Sequence, residues 1–228
     1  MTMGERHDYE AGGAAMRGYR ARPGRPNGAG LLVIPAFFGL RDFEMAECDR
    51  YAAMGYDVLG VDYYGDGWVA SGMDEASAAM GKLNEDRRTL LTRTEAALAE
   101  LGAARTGAVG FCFGGKAVLD LARAGRLDAG VSMHGIYDRP PWETEAMPPV
   151  LLCHGWNDPL ATPAQFEAVT RELEAHCEDW HALCFGGTGH AYTNPAQVSD
   201  DPGMGYVERS ARRAMAAAET FFAERLAA

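Results

Sequence analysis

The segment Gly110-Phe111-Cys112-Phe113-Gly114-Gly115 constrains the fold of this chain more than any other. An apolar run, Gly107-Ala108-Val109, leads into it, and a helix-like run, Lys116 to Ala122, leads out. A strand, a tight turn and a helix are therefore expected, with a thiol at the apex. The pattern is that of a G-x-S-x-G nucleophile elbow with cysteine in place of serine. Small residues are needed because strand and helix backbones come close together around a strained turn.

The surroundings of the elbow repeat one rhythm. Apolar runs alternate with amphipathic runs from about residue 30 onward, which predicts βαβ units and a mainly parallel sheet. Strands are expected at 31–34, 58–61, 107–111, 130–133, 150–153 and 180–185. Helices are expected at 43–54, 84–101, 163–175 and 204–226. Asp42 is the expected cap of the first helix, and Thr162 with Pro163 that of the third. Residues 16–21 alternate in polarity after the turn-forming Ala11-Gly12-Gly13-Ala14, which predicts an N-terminal antiparallel hairpin at the sheet edge. The fold class expected is α/β, with helices on both faces of a mostly parallel sheet. No linker or repeat divides the 228 residues, so a single domain over 1–228 is expected.

Composition limits the partners. The net charge of −11 repels phosphate backbones and argues against nucleic acid. No apolar run reaches the roughly 20 residues of a membrane span, and the polar start lacks a signal-peptide core. The five cysteines lack zinc-ligand or disulfide spacing, which fits a reduced, cytoplasmic setting and no metal. A monomer or small homo-oligomer is expected.

Three residues carry the expected chemistry. Cys112 stands where a helix N-terminus favours thiolate over thiol. His190, in the glycine-rich Gly186-Gly187-Thr188-Gly189-His190-Ala191-Tyr192, is free to face it as base and then acid. Asp158, in His154-Gly155-Trp156-Asn157-Asp158-Pro159, can hold the imidazole in the right tautomer. The backbone N–H of Phe113 and of Phe37 are the candidate oxyanion donors. Phe38, Phe111 and Tyr192 are candidate pocket walls, although ordinary core packing is an equal reading of those rings. His134 and His154 read as loop braces. The set needs neither metal nor organic cofactor.

These pieces together resemble the dienelactone hydrolase family of the α/β-hydrolase superfamily. The resemblance rests on Phe37-Phe38-Gly39, Val61-Asp62-Tyr63-Tyr64-Gly65, the Cys112 elbow, His154-Gly155 with Asp158, and Gly189-His190-Ala191-Tyr192. It implies a Cys-Asp-His triad that opens the ring ester of a dienelactone through an acyl-cysteine. Members acting on acidic dienelactones carry a glutamate just before the oxyanion loop, where this chain has Ala36. They also carry serine and arginine where Ala191 and Asn194 stand here. Loss of an Arg–carboxylate contact removes roughly 1.5–3 kcal/mol, so a neutral ester, lactone or thioester is the expected substrate. The competing reading is a non-catalytic hydrolase-like binder or a thiol redox sensor.

Overall fold

The structure is a computed structural model that describes residues 3–226. The chain order is β1 (Glu5–Ala11), β2 (Ala14–Ala21), β3 (Ala29–Ile34), α1 (Asp42–Ala53), β4 (Asp57–Gly60), α2 (Met73–Glu85), α3 (Arg87–Leu101) and β5 (Arg105–Phe111). It continues with α4 (Phe113–Arg123), β6 (Ala129–Met133), β7 (Val150–Gly155), α5 (Pro163–His176), β8 (Trp180–Phe185) and α6 (Glu208–Leu226). The strands form an eight-stranded, mostly parallel sheet in the order β1-β2-β4-β3-β5-β6-β7-β8, with β1 and β2 antiparallel. Two compact units are distinguished, one ending at Ala108 and including Leu226, the other Val109–Arg225.

In the first unit the hairpin turns on Gly12 and Gly13, whose φ angles of 59° and 81° suit the tight connection between Ala11 and Ala14. β2 then runs antiparallel to β4, and β3 runs parallel to it. β3 is buried along its whole length, as an all-apolar strand covered on both faces must be. Arg20 of β2 is buried because its fork meets Asp57 at 3.0 and 2.6 Å and the Glu100 carbonyl at 2.6 Å. Asp62 gathers the loop after β4: its carboxylate accepts the N–H groups of Arg17, Tyr64, Gly65 and Gly67.

Several boundaries differ from expectation. The helix expected at 84–101 begins at Arg87, because Asp86 caps it by accepting the Thr89 N–H at 3.1 Å. A separate helix, α2, precedes it. Only Ala76 and Leu83 are buried along α2, so the apolar periodicity that reveals a helix is nearly absent there. Arg41, rather than Asp42, occupies the cap position of α1, and its N–H donates to Glu44 at 3.2 Å. The closing helix starts at Glu208 rather than 204.

In the second unit β6, β7 and β8 pair in parallel. Thr162 caps α5 with Pro163 in its first turn, as the sequence predicts. A buried ion cluster joins α4 to α5. The Arg123 guanidinium meets Glu172 at 3.1 and 2.8 Å and Asp120 at 3.3 Å. Burial pushes the Glu172 carboxyl up, but its bonds to Arg123 and Thr144 outweigh that and hold it below the usual value. No helix among the described residues is long and apolar enough to cross a membrane.

Candidate active site

The elbow forms where β5 ends and α4 begins. Cys112 takes φ 55° and ψ −113°, a backbone region that costs a non-glycine residue about 1–3 kcal/mol. The turn survives because Gly110 has no side chain: a Cβ there would collide with the Gly114 carbonyl. Cys112 is buried. Its N–H donates to the Met133 carbonyl at 3.0 Å and to His134 Nδ1 at 3.2 Å. Phe113 is the first residue of α4, so its N–H belongs to the end of the helix that carries positive partial charge.

Asp158 follows β7 in a turn closed by its own N–H to the Gly155 carbonyl, 3.1 Å, and by Oδ1 accepting the Leu160 N–H, 2.8 Å. Its other oxygen, Oδ2, lies 2.7 Å from His190 Nδ1. Strand and loop approach closely at Gly155, where a Cβ would strike the Gly189 carbonyl. The backbone of His190 is pinned as well: its N–H donates to the Gly203 carbonyl at 2.7 Å, and its carbonyl accepts the Gly205 N–H at 2.9 Å. Both side chains are buried.

His190 Nε2 is buried without a hydrogen-bond partner. Burial alone would lower the imidazole pKa. The charge of Cys112 and the hydrogen bond that Nδ1 donates to Asp158 outweigh it and raise the group to about 10. Cys112, Asp158 and His190 are thus brought into one electrostatic cluster. An imidazole of raised pKa beside a sulfur can deliver a proton to a leaving group and recover one from water.

His134 fills the space beside this cluster. Its Nε2 lies 2.8 Å from Thr193 Oγ1, and its ring meets His190 and Tyr192 edge-on at 5.0 and 5.2 Å. Burial first, and the neighbouring His190 second, push its pKa well below the ordinary value. Of the candidate wall residues in this unit, Phe111 and Tyr192 are buried, and the Tyr192 hydroxyl donates to the Cys153 carbonyl at 3.0 Å. Among the described residues no group of three or more His, Cys, Asp and Glu could hold a metal ion.

The remaining candidates lie in the first unit. Phe37 and Phe38 pack with ring centroids 4.7 Å apart, and the Arg41 guanidinium covers Phe38 at 4.4 Å. The loop is held by its carbonyls: Tyr64 donates to Phe37 at 2.8 Å and Tyr63 to Ala36 at 2.5 Å. A carboxylate the sequence reading missed also belongs to this loop. Glu44 accepts the Ala36 N–H at 3.4 Å and the Arg41 N–H at 3.2 Å. Burial raises its pKa to about 7. The local signal available was an acid in the first turn of α1, three residues after the cap. Asn194 uses its side-chain oxygen to accept the Ala196 N–H at 2.9 Å.

Residues 16–226 match the model of the dienelactone hydrolase family. Dienlactone hydrolase 1 of Gibberella moniliformis is 27% identical over 76% of this chain and 72% of its own length. The solved structure named m3DLH is 31% identical, covers 97% of this chain and 98% of its own, and superposes with a TM-score of 0.88. P91, a dienelactone hydrolase-like promiscuous phosphotriesterase from metagenomic libraries, is also 31% identical with the same coverage and a TM-score of 0.87.

Proposed function

The chain belongs to the dienelactone hydrolase family, and from that premise we propose that it cleaves a small ester or lactone through an acyl-cysteine on Cys112. The observation that carries the reading is His190: Nδ1 is held by Asp158 at 2.7 Å while Nε2 stays buried and unpartnered. Buried unpartnered nitrogens also occur at His154 and Arg225, and His190 differs from them in having the charge of Cys112 act on its ring.

The steps follow from the residues. The Cys112 sulfur attacks the carbonyl carbon, and the negative charge that develops on oxygen is met by the Phe113 N–H, with Phe37 N–H the second donor proposed from the sequence. The carbon–oxygen ester bond breaks, and His190 Nε2 gives its proton to the departing alkoxide. Water then gives a proton back to Nε2 and attacks the acyl-cysteine. The thioester bond breaks, the acid leaves, and thiolate and imidazolium are restored. Asp158 keeps Nδ1 protonated throughout.

The substrate class proposed is neutral, because Asn194 stands where the acid-specific members of the family place arginine. Residues 1–228 act as one hydrolase domain in this proposal, in a cytoplasm that keeps thiols reduced. All five cysteines are free. Burial raises Cys48, Cys153 and Cys177, so none of these is primed to react, and the exposed Cys184 has no neighbour among the described residues that lowers it.

The test is a panel of p-nitrophenyl esters, small lactones and matched acidic and neutral esters. A phosphotriester belongs on it because of what the name of P91 states. Wild type and Cys112→Ala are compared, with intact mass recorded during turnover. A mass increment equal to the acyl group on Cys112, absent from the variant, is expected. Turnover that survives in Cys112→Ala overturns the proposal. No turnover combined with rapid reversible oxidation of Cys112 by peroxide replaces it with the redox-sensor reading.

A further inference from the structure

We propose that His134 is a positioning residue that fastens the Cys112 elbow to the loop carrying His190 and thereby sets how the imidazole meets the sulfur. The proposal rests on the assignment of Cys112 and His190 as the reacting pair.

Three segments that matter to the site meet at this one residue. The Cys112 N–H donates to His134 Nδ1 at 3.2 Å. The His134 N–H donates to the Cys153 carbonyl at 2.8 Å, on the strand that leads to Asp158. Its Nε2 lies 2.8 Å from Thr193 Oγ1, three residues beyond His190. The first contact assigns the tautomer. Nδ1 accepts a backbone proton and must be bare, so the ring hydrogen sits on Nε2 and donates to Thr193. The titratable groups that face the ring are His190 and Tyr192 from the loop, while the elbow meets it through the backbone N–H of Cys112. A second positive charge beside His190 is avoided because His134 is buried and stays neutral.

The backbone supports a role beyond filling space. His134 has φ 38°, a left-handed conformation uncommon for a residue with a side chain. Asparagine or glycine would adopt it at lower cost. Strain of this kind is retained where the surroundings over-determine it. Here both ring nitrogens have partners on separate segments, a requirement that glycine cannot meet.

The arrangement makes a specific demand on energetics. Thr193 and His134 act on His190 through one bond, so removing either end should have the same consequence, and removing both should add nothing. The readout is the pH profile of Cys112 alkylation by iodoacetamide, followed by mass, which needs no substrate. Thr193→Val is expected to slow alkylation at neutral pH by about tenfold, because a small displacement of the paired group is costly, and to move the profile toward higher pH. His134→Asn keeps an acceptor for the Cys112 N–H but does not reach Thr193, so it should match Thr193→Val. The double variant should equal either single one, and Thr193→Ser, which restores the hydroxyl, should return the wild-type profile. His134→Phe removes both ring bonds and should be the slowest of the set. Profiles that stay at wild type while only the melting temperature falls overturn the proposal, as do additive single effects. Failure of the hydrolase reading is distinguishable: it shows as absent turnover in wild type, with the alkylation profiles still responding to His134 and Thr193.

Discussion

Arg123 and His190 are both buried charged groups of the second unit, and they are furnished in opposite ways. Each of the three nitrogens of Arg123 meets a carboxylate oxygen of Glu172 or Asp120. His190 spends one nitrogen on Asp158 and leaves the other buried without a partner. The first arrangement is closed, in that every nitrogen has a carboxylate partner. The second is open, with Cys112 as the charged neighbour that bears on the ring. Both clusters carry perturbed carboxyl or imidazole groups, so perturbation alone does not separate structure from function. Nor does an unpartnered nitrogen alone, since His154 and Arg225 bury one too; the neighbouring Cys112 charge sets His190 apart.

Disabling the open cluster should give the largest effect. Asp158→Asn removes the acceptor that keeps Nδ1 protonated, and we expect kcat/KM on a neutral ester to fall about a thousandfold or more, with the fold intact by circular dichroism. A loss under tenfold would break the contrast, because Asp158 would then be a turn former. In the closed cluster, Arg123→Met removes the buried cation that Glu172 and Asp120 share, while the half-exposed Arg139 still reaches Glu172 at 3.1 Å. Denaturant unfolding should show a loss of about 3–5 kcal/mol, while activity per folded molecule stays near wild type. Activity that falls with Arg123 would show that the two clusters are coupled.

A smaller effect separates them by pH. His190 is raised from 6.5 to about 10. A base whose folded value lies above its unfolded value stabilises the fold fully below the unfolded value and loses that contribution as pH rises through the folded one. Melting temperature should therefore decline between about pH 6.5 and 10 in wild type relative to His190→Gln. Equal slopes would remove the imidazolium from the resting state.

Glu44 gives the smallest expected effect and an intermediate case, a buried carboxylate bonded to the backbone N–H groups of Ala36 and Arg41, with the Arg41 charge nearby. Its folded value, about 7 against 4.5, is also raised. The stability it contributes is present below pH 4.5 and lost as pH rises toward 7. Glu44→Gln should flatten that slope at a cost of about 1 kcal/mol for the weakened loop bonds. An unchanged slope would assign the acid limb to other carboxyl groups.

Much of this architecture is written in local pattern. Leu31-Leu32-Val33-Ile34 announces a strand covered on both faces, and Thr162-Pro163 announces a helix start, because each signal depends on neighbours in the chain. The elbow is legible for the same reason, since Gly110, Cys112 and Gly114 make the turn among themselves. The break at Asp86 was less visible: Asn84 to Leu101 reads as one helix until the Asp86 carboxylate is seen to take the Thr89 N–H. α2 shows almost no apolar stripe, so period offered nothing. The partners of the site were hidden for a different reason. His134 meets Cys112 across 22 positions and Thr193 across 59, and no spacing encodes such meetings. Glu44 lay close to its loop in sequence, yet a first-turn acid looks the same whether it faces water or reaches back to Ala36.

The bridge between His190 and Met204 has a consequence for how this protein would fail. Two backbone bonds, to Gly203 and from Gly205, secure the imidazole's main chain to a short stretch that precedes α6. That stretch includes Asp200, Asp201 and Pro202, exposed and outside any helix or strand. On the proposed mechanism, a protease that nicked the chain there would leave Cys112, Asp158 and the sheet untouched and still abolish turnover, by letting His190 drift. Inactivation by such a cut would precede any loss of global fold.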